Sequence, residues 1–338
     1  HSSDFKLDFT PVDGRVTDLA RIGALSADPR IRLLLADSTN ADSPGFSSSE
    51  TEVGGVLAQV FAERPDRRLI VGAFSSHIHR LQQVADAAMT TGRVLVVVGR
   101  SMQRNVGLAR DLGLLKVPDH AVRSAEEADD LPPERVCIVC TGSQGEPRSA
   151  LTLMAKGESK FVTVGPDDTV VLSSHPIPGN EAAVARIRND LARRGVEVVH
   201  SGHFDVHTTG HGKAHELRTL HSVARPEYFV PVHGEYFHLQ AHAALATGLG
   251  MDDDRVVLCV DGDQVELDET GLRRGPSTSG AEIYVDGMVG SLGSTVLSQR
   301  HVLGAGGFVA ALVTVSLAGR RRLGEVEVVS RGWIEPPD

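Results

Sequence analysis

Between residues 50 and 199 the chain alternates short apolar runs with amphipathic stretches, and this alternation restricts the fold more than any other feature. Leu69 to Phe74, Val94 to Val98, Glu134 to Cys140, Thr169 to Leu172 and Val196 to Val199 are rich in Val, Ile and Leu and too short for ordinary helices, so each predicts a buried strand. Glu50 to Glu63, Ser76 to Met89, Met102 to Leu112 and Glu181 to Arg194 predict helices. Strands alternating with helices imply a parallel sheet with right-handed crossovers, so the expected class is α/β. In such a sheet the ligand-facing loops lie beyond the carboxyl ends of the strands.

Three of those loops are polar and rich in small residues: Ser75-Ser76-His77, Thr141 to Glu146, and Ser173 to Asn180. Hydroxyls and free backbone N–H groups leading into helices can cradle phosphate. Arg80 and Arg148, just beyond two of the loops, could add charge-assisted hydrogen bonds. The same residue types also make ordinary turns and caps. An earlier strand, Arg32 to Ala36, is closed by Asp37-Ser38-Thr39-Asn40. There the acid reads either as a rim ligand or, more simply, as a helix N-cap. Cys137 and Cys140 form a CxxC on a predicted strand, where residues three apart face opposite sides, so buried thiols are expected rather than a metal site.

The densest cluster of candidate chemistry runs from His207 to Glu235. His207-Thr208-Thr209-Gly210-His211-Gly212 places two histidines around a turn, and a helical passage follows. Tyr228 to Val232 then reads as a buried strand ending in His233-Gly234-Glu235. A histidine at a strand end beside glycine can aim its ring into a cleft, and neutral imidazole is the commonest protein ligand for transition metals. His207, His211 and His233 together suggest a phosphate or metal site. Beyond a helix at Tyr236 to Gly248 the expectation is a β-rich tail, with strands at Arg255 to Val260, Gln264 to Leu267, Glu282 to Val285 and Ser294 to Leu303. It continues with a long apolar run, Phe308 to Leu317, while Asp268 to Glu282 reads as an exposed loop and Trp333 to Asp338 as the start of a linker.

A formal net charge of −10 argues against indiscriminate nucleic-acid binding by the whole surface, though not against a local basic groove. Three cysteines are too few for a disulfide framework, which favours a reducing compartment and a cytosolic setting. No apolar run reaches membrane-spanning length. The chain begins with His1 and reads from the outset like the middle of a domain, so an upstream region is expected.

Taken in order, Ser3-Asp4-Phe5-Lys6-Leu7-Asp8, Ala36 to Asn40, Phe74 to Arg80, Gly99-Arg100-Ser101-Met102, Thr141 to Pro147, Pro176 to Glu181, His207 to Gly212 and Pro231 to Glu235 carry a resemblance. The chain resembles the bacterial ribonuclease J family, of the metallo-β-lactamase superfamily with the β-CASP insertion. The resemblance implies a partial metallo-β-lactamase αββα sandwich at residues 1–48 and 200–325. It also implies a β-CASP domain, a parallel sheet flanked by helices, at 49–199, and a linker start at 326–338. The implied activity is hydrolysis of RNA phosphodiesters, as an endonuclease and as a 5′-to-3′ exonuclease preferring 5′-monophosphate ends, with two zinc ions. By resemblance, Asp4 and His233 are metal ligands, and Asp37 and His211 are catalytic. His207 and Thr209 would lie around the scissile phosphate, and Ser75, His77, Arg80, Ser143, Gly145, Glu146 and Ser174 would hold the 5′-terminal nucleotide. Single-stranded RNA is the implied partner, in a homodimer or homotetramer. The family's HxHxDH segment matches nothing in this sequence, so the chain by itself is expected to have little or no activity. The competing expectation is a non-catalytic RNA-binding subunit.

Overall fold

The computed structural model describes the chain apart from residues 28–29, 129, 178, 281–282, 287–289 and 333–338. It divides into two compact units, His1–Cys259 with Glu266–Arg273, and Val260–Val265 with Arg274–Asp338. Residues 200–325, expected as one stretch of sandwich, therefore fall in both.

The larger unit runs α1 (Leu19–Leu25), β1 (Leu33–Asp37), α2 (Glu50–Ala62), β2 (Arg68–Gly72), α3 (Ile78–Thr90), β3 (Val94–Val98) and α4 (Arg100–Asp111). It continues with β4 (Val122–Arg123), α5 (Ala125–Ala128), β5 (Val136–Cys140), α6 (Ala150–Lys156), β6 (Asp168–Leu172), α7 (Glu181–Arg193), β7 (Glu197–His200), α8 (Ala214–Ala224), β8 (Tyr228–Val232) and α9 (Tyr236–Gly248). β2 to β7 form one parallel sheet in the order β4-β3-β5-β2-β6-β7. Every residue of β5 and β6 is buried, as a sheet covered on both faces requires. One face packs Val53, Leu57 and Phe61 of α2, Leu81 and Val84 of α3, and Met102 and Val106 of α4. The other packs Leu151 and Met154 of α6 and Val184, Ile187 and Leu191 of α7.

That distribution creates a crevice. β2 feeds α3 onto one face, while its neighbour β5 feeds α6 onto the other. Loops leaving the two adjacent strand ends therefore diverge, the arrangement in which α/β sheets bind ligands. Apart from this sheet, β1 and β8 form a parallel pair, with Leu34 opposite Phe229 and Asp37 opposite Val232. A small core of Leu34, Ala36, Leu220, Phe229 and Ala246 lies beneath α8 and α9.

Several expectations change. Asp37 caps no helix, since β1 ends there and α2 begins only at Glu50, with Ser49 as its cap. Arg255 to Val260 makes only a 3-10 turn, Asp253–Arg255, and an isolated bridge from Val256 to Phe229. β9 (Val265–Asp268) pairs with β10 (Gly271–Arg274), which falls inside the expected loop. In the smaller unit β11 (Val285–Asp286) pairs with β12 (Gly290–Ser291), while Glu282 lies outside the described residues. Ser294 to Leu303, expected as a strand, is part of helix α10 (Ser294–Gly306). Thr295, Val296 and Val302 suggested a strand, but the apolar residues come as Val296-Leu297 and Val302-Leu303 without alternation, among the good helix formers Gln299 and Arg300. The run from Phe308 splits into β13 (Phe308–Leu312) and β14 (Val315–Ser316), which pairs with β15 (Arg321–Arg322). Residues expected to open a linker form β16 (Glu327–Arg331), antiparallel to β13, and Trp333 to Asp338 lie outside the described residues. Among the described residues no helix is long and apolar enough to cross a membrane.

Cys137 and Cys140 are fully buried, and Cys137 packs in one core while Cys140 packs in the other. Burial pushes both thiols up to about 12. Labelling of the native chain with a thiol-specific reagent at pH 8 should therefore stop at one thiol, Cys259, and reach three only in denaturant. Rapid labelling of two or more in the native state would contradict this packing.

Candidate functional site

The ends of β1 and β8 lie side by side, so the segments that follow them meet. Asp37, the last residue of β1, is 2 % exposed and accepts a 2.7 Å hydrogen bond from His211 Nδ1. Its other oxygen accepts from the Thr39 N–H at 3.0 Å and the Thr39 hydroxyl at 2.7 Å. Burial works to raise the Asp37 carboxyl, but the hydrogen bonds from His211 and Thr39 outweigh it and hold it below its usual range. The same bond to Asp37 raises the proton affinity of His211 against a smaller opposing effect of burial.

His211 stacks on His233 with ring centroids 5.4 Å apart and an 18° tilt. His233 Nε2 lies 3.7 Å from Asp4 Oδ1. One donor atom from each of Asp4, His211 and His233 falls within 4.8 Å of the others. Carboxylate and imidazole donors at such spacing suit a divalent cation such as zinc. Asp37 on Nδ1 leaves His211 Nε2 as the donor, the support usual behind a metal-binding or acid–base histidine. Asp4 is brought here by its own segment. Phe5 O accepts from Gly212 N at 2.7 Å, and Ser2 N donates to Leu35 O at 2.9 Å. The fully buried Glu216 accepts from Leu7 N, from Ser47 N and Oγ, and from Lys213 N, so one carboxylate ties three segments together.

Beneath the turn lie two more histidines that sequence reading did not single out. His242, fully buried on α9, contacts the Ser38 hydroxyl through Nδ1 at 3.0 Å. His221 packs 5.3 Å from it and is 5 % exposed. Burial pushes His242 down to about 3 and His221 to about 4. Neither Glu216 nor this pair carries a sequence signal, because each acts through partners far along the chain.

Of the expected phosphate contacts, Ser75, Ser143 and Glu146 line a cleft of about 710 Å³ at the crevice between β2, β3 and β5. Ser76, Arg100, Ser101, Thr141, Arg148 and Ser149 complete its polar lining. Among the described residues no carboxylate pairs with Arg100 or Arg148. Ser174 is buried against Ser143, and Gln144 Nε2 donates to Ser174 Oγ and to His175 O, closing the cleft off from the β6 side. Gly145 packs against α7, where φ of +82° and an added Cβ 2.5 Å from Ala183 Cβ leave no room for a side chain. His77 and His207 lie elsewhere, around Glu50, Arg80 and His175. Burial, aided by Arg80 and His175, pushes His207 down to about 3, and burial also lowers His77. Any phosphate contact they make is therefore through neutral imidazole. Thr209 Oγ1 accepts from Asn40 Nδ2 and from His211 N, leaving only its own hydroxyl hydrogen free.

Arg80 is a correction. Its side chain is fully buried and its donors go to Glu50, Gln83, Ser173 and Val206, so it braces the loops and reaches no ligand. The expectation failed because a cation beyond a glycine- and serine-rich loop has the same sequence signature whether it faces phosphate or a buried carboxylate.

Residues 66–191 match the ribonuclease J beta-CASP domain, and residues 181–257 match the Zn-dependent metallo-hydrolase RNA specificity domain. Ribonuclease J of Mycolicibacterium smegmatis is 40% identical over 338 residues, 100% of this chain and 60% of that protein. Over its matched residues the chain is similar to the ribonuclease J family. Ribonuclease J 1 of Streptococcus pyogenes is 40% identical over 98% of the chain and 59% of its own length. Ribonuclease J of Thermus thermophilus is 39% identical over 99% and 57%. The chain thus spans about 60% of the length of these ribonuclease J relatives.

Two predictions follow from the buried groups. If Arg80 is a brace, Arg80→Ala leaves Glu50 buried and unpaired and should cost about 3–5 kcal/mol of stability in urea unfolding. A variant as stable as the native chain but weaker in RNA binding would restore the ligand role. His221 and His242 are held neutral when folded, whereas the unfolded chain takes up protons near pH 6.5. Their contribution is intact above about pH 6.5 and is lost as the pH falls toward 4, with each histidine adding about 1.4 kcal/mol per pH unit to the slope. His242→Asn should flatten the acid side of the stability profile by about one such increment, and an unchanged slope would contradict the burial.

Proposed function

We propose that this chain is the RNA-gripping part of a zinc-dependent ribonuclease. Its reaction is hydrolysis of phosphodiester bonds, both internally and stepwise from a 5′-monophosphate end. The observation that carries the reading is the meeting of Asp4, Asp37, His211 and His233, drawn from the two ends of the larger unit: Asp37 is hydrogen-bonded to His211, His211 stacks on His233, and Asp4 lies 3.7 Å from His233. The nucleotide-sized cleft at the sheet's carboxyl edge and the match to an RNA specificity domain support it. In this organisation residues 49–199 are the insertion, flanked by sandwich segments at 1–48 and from 200 onward.

Asp4 and His233 would hold zinc, and His211 Nε2 faces the same space and could serve as a third ligand when no RNA is present. When bound, zinc supplies charge at the phosphoryl oxygens and lowers the pKa of water. Everything else belongs to the protein. Asp37 fixes the His211 ring and favours its protonated form, so Nε2 can carry a proton to the oxygen that leaves. The hydroxyls of Ser75, Ser76, Ser101 and Ser149 and the guanidinium groups of Arg100 and Arg148 receive the 5′-terminal nucleotide. Cytosolic placement and assembly into a dimer or tetramer belong to the same reading.

Three donor groups suffice for one zinc ion and not for two. We therefore expect the 338 residues to bind 5′-monophosphorylated RNA while turning it over slowly or not at all. Arg100→Ala with Arg148→Ala should weaken a 5′-monophosphorylated oligonucleotide about tenfold or more, at roughly 1.4 kcal/mol per factor of ten, and a 5′-hydroxyl oligonucleotide far less. Equal losses for both oligonucleotides would remove the 5′-nucleotide assignment. Rapid zinc-dependent cleavage by these residues would refute the expected inactivity. RNA binding that is indifferent to zinc would favour the second reading, an RNA-binding subunit without catalysis.

A further inference from the structure

We infer that Asn40 is a positioning residue, and that with its turn neighbours it presets both imidazoles of the site before any ligand arrives. The inference rests on the metal reading of Asp4, His211 and His233 only for one arm of its test. Asn40 Nδ2 donates to Thr209 Oγ1 at 2.9 Å and to His211 O at 3.0 Å. Thr209 Oγ1 also accepts from His211 N at 3.1 Å, so the amide closes a small ring of hydrogen bonds around the His211 backbone. Three residues earlier on the same turn, Asp37 takes the His211 ring at Nδ1. His211 is thus held at its backbone and at its ring, which fixes the direction of Nε2.

The turn also holds His233. Ser38 N donates to His233 O at 3.1 Å, and the Thr39 hydroxyl lies 3.4 Å from the same oxygen. His233 has φ of +58°, a left-handed conformation unfavourable for a residue with a side chain, which persists only where neighbours impose it. The position of Asn40 calls for a short side chain with two N–H donors on one nitrogen. Serine offers one donor and a carboxylate none, so no other small side chain completes the same ring.

The test uses the chain with Asn40→Asp, which keeps the shape and loses both donors, together with Asn40→Ala and Thr209→Val. The first arm is metal-free NMR of the imidazole nitrogens. The native chain should show one hydrogen-bonded His211 form, which the Asn40 variants replace by broadened or averaged signals. The second arm is cobalt(II) titration followed by absorption. Both Asn40 variants should bind about 10–100-fold more weakly, as for other residues that orient a ligand from behind, and Thr209→Val less so. Unchanged His211 signals in both Asn40 variants would overturn the inference, as would cobalt affinities within twofold of the native value. If Asn40→Ala does not fold, Asn40→Asp and Thr209→Val decide. Should the native chain bind no cobalt, the metal reading fails, and the first arm alone decides whether Asn40 positions His211.

Discussion

Asp37 and His211 are 174 positions apart, and a 2.7 Å hydrogen bond joins them. The site depends on that contact, which His211 makes from the loop before α8, and on one pair of parallel strands. β1 and β8 bring Asp37 opposite Val232, so the turn after β1 meets the residues after β8 without any long side chain having to reach. Everything between the two strands, including the whole six-stranded sheet, is threaded through that junction. Its geometry has to be stiff, because both partners leave regular structure at the point where they touch. The turn from Asp37 to Asn40 provides the stiffness with hydrogen bonds instead of packing.

The electrostatics divide along the same line. Histidines away from the exposed group, the half-buried His207 and the buried His221 and His242, are held neutral, so they contribute shape and hydrogen bonding. His211, by contrast, is pushed toward its charged form, and the Asp37 carboxylate is the cause. Positive charge that can reach a ligand sits instead on the cleft rim, at Arg100 and Arg148, while Arg80 is consumed by Glu50. A protein with a formal charge of −10 can therefore offer an anion-binding surface without being basic overall.

Much of the larger unit was legible because apolar period and length agree there. Val94–Val98 and Tyr236–Gly248 fall at their expected bounds, and β5 reads as a continuous apolar run because both sheet faces are covered. Short elements such as α6 and β4 left no such trace, and α10 was misread because its apolar pairs fit neither period cleanly. In the site, Asp4, Asp37, His211 and His233 stood out through recognisable motifs. Asn40 lay inside one of those motifs with no role read for it, and Glu216 and His242 lay in none, since their work is defined by donors and acceptors that only the fold brings near. Arg80 and Gly145 show the converse. Each sits in a loop that looks ready for phosphate, and each is taken up by internal contacts, one to a carboxylate and one to a neighbouring helix.

The site can act as proposed only if Asp4, His211 and His233 form a single cation-binding group. Diffraction from crystals of the chain soaked in zinc, measured on both sides of the zinc absorption edge, tests it directly. A single strong anomalous peak among Asp4, His211 and His233, beside the Asp37–His211 hydrogen bond, is the predicted result. Full zinc occupancy elsewhere, with nothing among those three residues, would contradict it.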